Sequence, residues 1–426
     1  MYQLMRAILL CVILFSLSVN IPAERKMEIK VAIYFSNVKR FAEEIRDAID
    51  YSWIKKGVKY VISAEIIGRE DVKKGKLNSY DVFVIPGSAR PYTDAMNKKW
   101  REEVIKFVEN GGGYIGICGG ANLASVGFDE GGNKALNPFL LKIANVYVND
   151  EQYEEWQYLW KSNWRHGGPP IKLSILHTNN PIFEGFYGEQ RSIRYWGGPG
   201  MYEAKEENEK FGEIIPLAIY AEEPMEVAPL HYWRWDGKWI PYRNVTTDIK
   251  GQYAIVATTY GKGRIVLFGP HPERETFFDG HIEEFPVRPE FSPFTWFIYN
   301  WVSDNKSTIS YNWWILRRSI AWTVGIAMPP ASETAVHIEE PRYGIYVEGR
   351  KILYSQSAIV IGKTNIIGKA INIRESYLYV DNHLLYTGKG DIQLSTSFNP
   401  GKHVVSMVGR SEGEEVKNEI SIFVLK

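Results

Sequence analysis

The 426-residue chain is long enough for two or three domains around a sizeable buried core. Its 50 basic and 50 acidic side chains cancel and no long run of one sign occurs, so a nucleic-acid partner, which asks for excess lysine and arginine, is not expected. Aromatic residues reach 14%, with 14 Trp; most are expected inside, and the remainder would suit a small molecule, a peptide or a glycan as substrate.

The chain opens with "MYQLMRAILLCVILFSLSVNIPAERK", in which Arg6 precedes a mostly apolar run from Ala7 to Val19. That is a secretory h-region in length and flank, short of the roughly 20 residues of a membrane span. Residues 1–26 therefore read as a signal peptide or N-terminal anchor, which puts the protein outside the cell or tethered on the outer face of a membrane. A start at Met27 would instead leave it cytoplasmic. Cys11 follows Leu10, where lipid attachment wants a small residue. With the signal removed, Cys118 is the single thiol, so an intrachain disulfide is excluded and the cysteine serves either packing or chemistry.

From Glu28 to Gly127, short apolar runs alternate with amphipathic stretches, the pattern of a parallel sheet flanked by helices. "IKVAIYFS" reads as a first strand and "NVKRFAEEIRDAIDYSWIKKG" as a helix capped by Asn37 and ended by Gly57. "YVISAEIIG" and "DVFVIPG" are further strands, "DAMNKKWREEVIKFVENGGG" is a helix stopped by glycines, and "YIGIC" is a strand apolar on both faces. From about residue 140 to 255 the pattern loosens into β-like pieces with Trp and Tyr clusters, an insertion. "QYAIVATTY" and "RIVLFGP" then flank a Gly-containing turn, "FSPFTWFIYNWVSD" reads as helix-like, and "YNWWILRRSIAWTVG" as a helix whose Arg317 and Arg318 argue against a membrane span. "MPPASETAVHIEEP" reads as a linker, 329–341. Beyond it about seven short strands suggest a small β-sandwich over 342–426, Ig-like in its pattern.

Gly116, Cys118 and Gly120 have the Gly-x-Cys-x-Gly spacing of a sharp strand-to-helix turn, which holds a nucleophile at the strand tip and aims it at a helix amino end where thiolate is favoured. In "GRIVLFGPHPERE", His271 ends a strand and Glu273 follows two residues later. A thiolate enzyme needs an imidazole to carry the proton and a carboxylate to fix its tautomer.

On these two motifs the chain resembles the class I glutamine amidotransferase superfamily, and within it the domain at the amino end of some biotin protein ligases. The resemblance covers residues 28 to 305. It implies a flavodoxin-like α/β fold over 27–328 and a triad of Cys118, His271 and Glu273. It also implies an oxyanion hole from backbone N–H groups at Gly119 and near Gly87 and Ser88 in "IPGSARPY". Glutamine-using members carry Gln four residues after the nucleophile; Asn122 stands there, so glutamine-dependent amidation is not expected. Arg90 is a candidate for holding a substrate carboxylate, an ordinary surface role being equally open. Asp279, His281, Glu283 and Glu284 cluster without the spacing of a standard metal site, and neither metal nor cofactor is expected. His166 and His177 read as structural. The function expected is amide hydrolysis by an exported cysteine hydrolase; the alternative is an inactive relative that serves as a surface binding module.

Overall fold

The computed structural model describes residues 25–35, 39–88, 90–130, 133–149, 155, 168–287, 296–355 and 357–425. The signal-like segment with Cys11, the cap Asn37, His166 and most of the Trp-rich stretch around it fall outside these residues. Among the described residues no helix is long and apolar enough to cross a membrane.

Strands β1 (Arg25–Tyr34), β2 (Tyr51–Lys55), β3 (Val58–Ile67), β4 (Val82–Ile85) and β5 (Gly113–Ile117) begin the fold. Helix α1 (Lys39–Ile49) lies between β1 and β2, and α2 (Lys98–Glu109) between β4 and β5. β3, β1, β4 and β5 run parallel in that spatial order. The apolar runs at the end of β1, in β4 and in β5 are buried residue after residue, as strands covered on both faces must be. α1 buries Ala42, Ile45, Ala48 and Ile49, an i, i+3, i+4 stripe. α2 starts at Asn97, whose Oδ1 accepts from the Trp100 amide at 3.1 Å, and buries Trp100, Val104, Phe107 and Val108.

The flavodoxin-like α/β fold expected from the sequence is corrected by the structure: strands make up 46% and helices 18%, and the main sheet is mixed. Three causes are visible. First, α1 stops at Ile49 rather than Gly57, and Tyr51–Lys55 becomes a strand that turns back on β3 through Lys56 and Gly57, both at positive φ. Trp53 faces Tyr60 across that hairpin with ring centroids 5.1 Å apart, a cross-strand aromatic pair that outweighs the helical pattern of the preceding residues. Second, the insertion is itself sheet. β6 (Gln190–Arg194), β7 (Tyr253–Tyr260) and β8 (Gly263–Phe268) belong to it and its exit; β8 is parallel to β5, β7 antiparallel to β8, and the strands beyond are antiparallel again. The helix expected over "FSPFTWFIYNWVSD" is likewise a strand where described, Trp296–Val302, pairing antiparallel with His281–Val287. Tyr299 and Trp301 are buried while Asn300 is exposed, a period of two.

Third, the C-terminal strands pair with the main sheet. The segment read as a linker already forms a strand, Ala335–Glu340, in a three-stranded sheet. The long hairpin of β9 (Gly401–Ser411) and β10 (Glu414–Val424) reaches the main sheet, because Tyr51 and Ser52 of β2 pair antiparallel with Val416 and Glu415 of β10. The seam is fixed by an ion pair between the buried Asp47 of α1 and the half-buried Arg342. Arg342→Met is expected to lower unfolding stability by about 3 kcal/mol or more, because it strands the Asp47 carboxylate in the interior. Urea titration followed by tryptophan fluorescence measures it, and a change under about 1 kcal/mol would show that the pair contributes nothing beyond packing.

The helix read over "YNWWILRRSIAWTVG" is present at the back of the sheet, Trp313–Thr323. Its arginines serve as buried donors to carbonyls: Arg317 Nε to Ala48 at 2.7 Å and Nη1 to Thr334 at 3.2 Å, Arg318 Nε to Ile182 at 2.6 Å. They fasten this helix to α1 and to the insertion. α3 itself (Gly119–Ala124) follows β5 and carries the site.

Candidate functional site

Cys118 is the single residue between β5 and α3, at φ 51° and ψ −109°, outside the regions an L-residue prefers. The glycines on either side make that turn fit. A Cβ at Gly116 would come within 2.5 Å of the Gly120 carbonyl oxygen, and one at Gly120 within 2.2 Å of the Ile85 carbonyl oxygen, so α3 can press against β4 and β5 only without side chains there. The Cys118 amide donates to Phe268 O at 2.7 Å, which carries the β5–β8 ladder one residue past the strand.

β8 delivers the second component. After Phe268 the chain turns through Gly269 and Pro270, and the His271 amide donates to the Arg194 carbonyl at 2.8 Å, tying the turn to the end of β6. His271 Nδ1 and Glu273 Oε1 are 2.7 Å apart. The Glu273 carbonyl accepts from Trp313 Nε1 at 2.9 Å, so the helix behind the sheet pins the loop. His271 and the sulfur meet at one place: a Cβ built on Gly87 would lie 2.8 Å from His271 Cε1, 2.9 Å from Cys118 Cβ and 3.4 Å from Cys118 Sγ. Gly87 is therefore the floor between nucleophile and base. Ser88 packs beside it, since a Cβ at Gly119 would stand 2.5 Å from Ser88 O and 2.9 Å from Ser88 N.

Charge at the site is set by burial and by the acid. Burial alone would favour a neutral His271 ring, but the adjacent Glu273 carboxylate, helped by the Cys118 sulfur, outweighs it and pushes the imidazole up to about 9. Glu273 moves the other way: burial would raise it, and the His271 charge, with Arg274, holds it below the usual carboxylate range. Nδ1 is thus the nitrogen that donates to Glu273, and Nε2, protonated too in the cationic ring, is left for the Cys118 sulfur.

The structure brings Cys118, His271, Glu273, Gly87, Ser88 and Gly119 together. Asn122 lies one turn along α3, its amide donating to the Cys118 carbonyl at 3.1 Å and its side-chain oxygen buried without an acceptor role among the described residues. Arg90 is committed elsewhere: its Nε donates to Asp94 at 3.0 Å, where Tyr34 also bonds. Glu284 bonds His231 Nδ1 at 2.5 Å and Trp233 Nε1 at 3.0 Å, while Asp279 accepts from Ser303 at 2.7 Å and Asn305 at 3.1 Å, so the acidic cluster is occupied with hydrogen bonds.

Sequence reading missed the wall of the site. Trp196 accepts the Cys118 Sγ hydrogen at its carbonyl, 3.8 Å away, and sets its ring edge-on to His271 with centroids 6.1 Å apart. Arg274 stacks on the Trp196 ring at 4.1 Å and pairs with Glu44 at 2.7 Å. Glu44 looks in the sequence like an ordinary i, i+4 partner of Arg40, which it also is. "RYWGGPG" offers one signal, a strand running into aromatic residues and close-packed glycines.

Comparison with known proteins adds the following. The family model described as biotin-protein ligase, N terminal, matches residues 62–284. No curated protein sequence matches. Among solved structures, the β-galactosidase from Bacillus circulans sp. alkalophilus shares 10% identity over 92% of this chain and 41% of its own, with a TM-score of 0.35. The β-galactosidase from Rahnella sp. R3 shares 12% over 87% and 41%, with a TM-score of 0.35. A cytoplasmic protein from Salmonella typhimurium LT2 shares 15% over 57% and 87%, with a TM-score of 0.29. The chain thus spans less than half the length of the two galactosidases.

Proposed function

Since the chain belongs to the biotin-protein ligase N-terminal family, whose matched span contains Cys118, His271 and Glu273, we propose that it is a cysteine hydrolase of amide or peptide-like bonds, related at its site to the glutamine amidotransferases. The observation that carries the reading is the convergence of a strained-turn sulfur and a carboxylate-held imidazole on the side-chain-free face of Gly87.

The Cys118 thiolate adds to the amide carbonyl carbon, and the oxygen takes up negative charge near the backbone of Gly119 and the Gly87–Ser88 loop. Collapse breaks the C–N bond, and protonated His271 gives its Nε2 proton to the departing amine. Water then enters, His271 takes its proton, the C–S bond of the thioester breaks, and a carboxylic acid leaves. Glu273 keeps the proton on Nδ1 throughout. Nothing in this cycle calls for a cofactor. Export by the segment around Ala7–Val19, with a cell-surface tether if it is retained, belongs to the same proposal, as does an Ig-like role for the C-terminal strands.

A binding module is the second reading, favoured by one observation: Trp235 and Tyr242, 58% and 55% exposed, stand on the hairpin His231–Asn244 as open aromatic faces suited to a sugar or a peptide. Iodoacetamide labelling at pH 7, read by peptide mass mapping, separates the two. His271→Ala is expected to slow alkylation of Cys118 by at least about tenfold, because the imidazolium that supports the thiolate is gone. Equal rates in the two proteins would end the hydrolase reading.

A further inference from the structure

The loop that carries His271 and Glu273 also carries a cation, and α1 keeps that cation a step away from the acid. Arg274 follows Glu273 directly and is 7% exposed. Its Nε stands 3.8 Å from Glu273 Oε1, the oxygen that His271 Nδ1 meets at 2.7 Å, and finds no hydrogen-bond acceptor among the described residues. A guanidinium at that distance is beyond hydrogen-bond reach, yet near enough to close on the carboxylate if nothing restrained it. The charge of Glu273 would then be shared between guanidinium and imidazolium, and the ring would hold its proton less firmly.

The restraint comes from one face of α1. Arg274 Nη2 pairs with Glu44 Oε2 at 2.7 Å, and the guanidinium carbon lies 4.1 Å from the centre of the Trp196 ring and 5.0 Å from that of Phe41. Phe41 and Glu44 are three residues apart on the helix, so together they form one clamp. Arg40 Nε, 2.7 Å from Glu44 Oε1, holds the other oxygen of that carboxylate. The clamp reaches the sulfur as well, because the Trp196 carbonyl accepts the Cys118 Sγ hydrogen. The titratable and charged groups gathered here are Glu273, Arg274 and Glu275 on the ring's own loop, Cys118 at the end of β5 with the Tyr92 and Tyr220 phenols beyond it, Glu44 and Arg40 on α1, and Arg194 at the end of β6.

We propose that Glu44 is a positioning residue for the site: it draws Arg274 back between Trp196 and Phe41, and so reserves the Glu273 carboxylate for His271. Glu44 acts through Arg274 and not on the ring directly. Charges then alternate from the helix inwards, Glu44 negative, Arg274 positive, Glu273 negative, His271 positive and a thiolate at Cys118, an order in which each group favours the charged form of the next. An imidazole raised to about 9 accords with that order. The consequence for turnover rests on the hydrolase reading, whereas the titration of the ring does not, and this keeps the two apart.

The experiment is an NMR titration of the His271 Cε1 proton in the full chain, the signal being assigned by its loss in His271→Gln. Glu44→Gln keeps the volume and frees the guanidinium, and it is expected to lower the His271 midpoint by about one pH unit. In an Arg274→Gln background the same substitution should leave the midpoint within about 0.3 unit of Arg274→Gln alone, since the competitor is gone. Glu44→Asp, which retains the charge on a shorter arm, should shift the midpoint in the same direction but less. Should Glu44→Gln fail to fold, Glu44→Asp with and without Arg274→Gln carries the same comparison. Iodoacetamide alkylation of Cys118 at pH 7 should slow by about threefold or more in Glu44→Gln, and the double variant should react no more slowly than Arg274→Gln. A native midpoint in Glu44→Gln, or an equal drop with and without Arg274, overturns the positioning role. A midpoint that responds as expected while His271→Ala leaves alkylation unchanged overturns the hydrolase alone.

Discussion

Glu273→Gln is expected to cut the rate of Cys118 acylation by between about a hundredfold and ten-thousandfold, with the fold intact. The substitution preserves volume and removes one charge from a site where every neighbour responds to it. In the native protein the carboxylate raises His271 to about 9, so the ring is cationic at neutral pH. Without it only the Cys118 sulfur is left to oppose burial, so the ring titrates lower than in the native protein, and Nδ1 loses the partner that keeps it protonated. Stability reports the same change. A histidine whose pKa is higher folded than unfolded contributes stability that is complete below about 6.5 and lost as pH climbs through about 9. In Glu273→Gln that contribution shrinks, so the variant loses less stability between pH 7 and pH 9.5 than the native protein does. Urea midpoints at pH 5.5, 7 and 9.5, read beside the alkylation rate of Cys118, check both halves. A variant with native rates and a native pH profile would show that Glu273 only packs.

Gly198→Ala is expected to cost about 4 kcal/mol or more and to silence the site together with the fold. A methyl there would lie 1.6 Å from the Gly269 carbonyl oxygen and 2.5 Å from its carbon, and backbone cannot swing aside as a side chain can. Gly269 is hemmed in as well, with the Tyr220 hydroxyl and the Pro199 carbonyl where its own Cβ would be. These two glycines let the Trp196 segment and the His271 segment touch. Separating them would pull the imidazole from the sulfur even where the rest of the sheet survives. Denaturant titration and Cys118 alkylation measure the two losses; an unshifted midpoint would mean that the two segments slide past each other without strain.

The chemistry-bearing turns were legible because each is local. Gly116, Cys118 and Gly120 state a tight strand-to-helix turn within five residues, and His271-Pro272-Glu273 states a ring and its acid within three. The same locality made the buried strands β1, β4 and β5 plain, and the helix around Arg317. What could not be read was anything decided by a distant partner. Trp53 makes a strand of a helical-looking stretch because Tyr60 faces it, and Tyr299 and Trp301 alternate because His281–Val287 lies alongside. Those pairings turn an expected helix-flanked α/β fold into a mixed, mostly β one.

The seam between β2 and β10 has a bearing on what the sheet offers to other strands. β2 would otherwise be the bare margin of the sheet that carries the thiol, with amide and carbonyl groups open to any passing strand. Residues more than three hundred positions downstream close that margin, so an internal strand occupies the place where another molecule of the same protein could add itself. Protection against self-templating thus comes late in synthesis, and the nascent thiol-bearing half keeps an open margin until its own distant hairpin arrives.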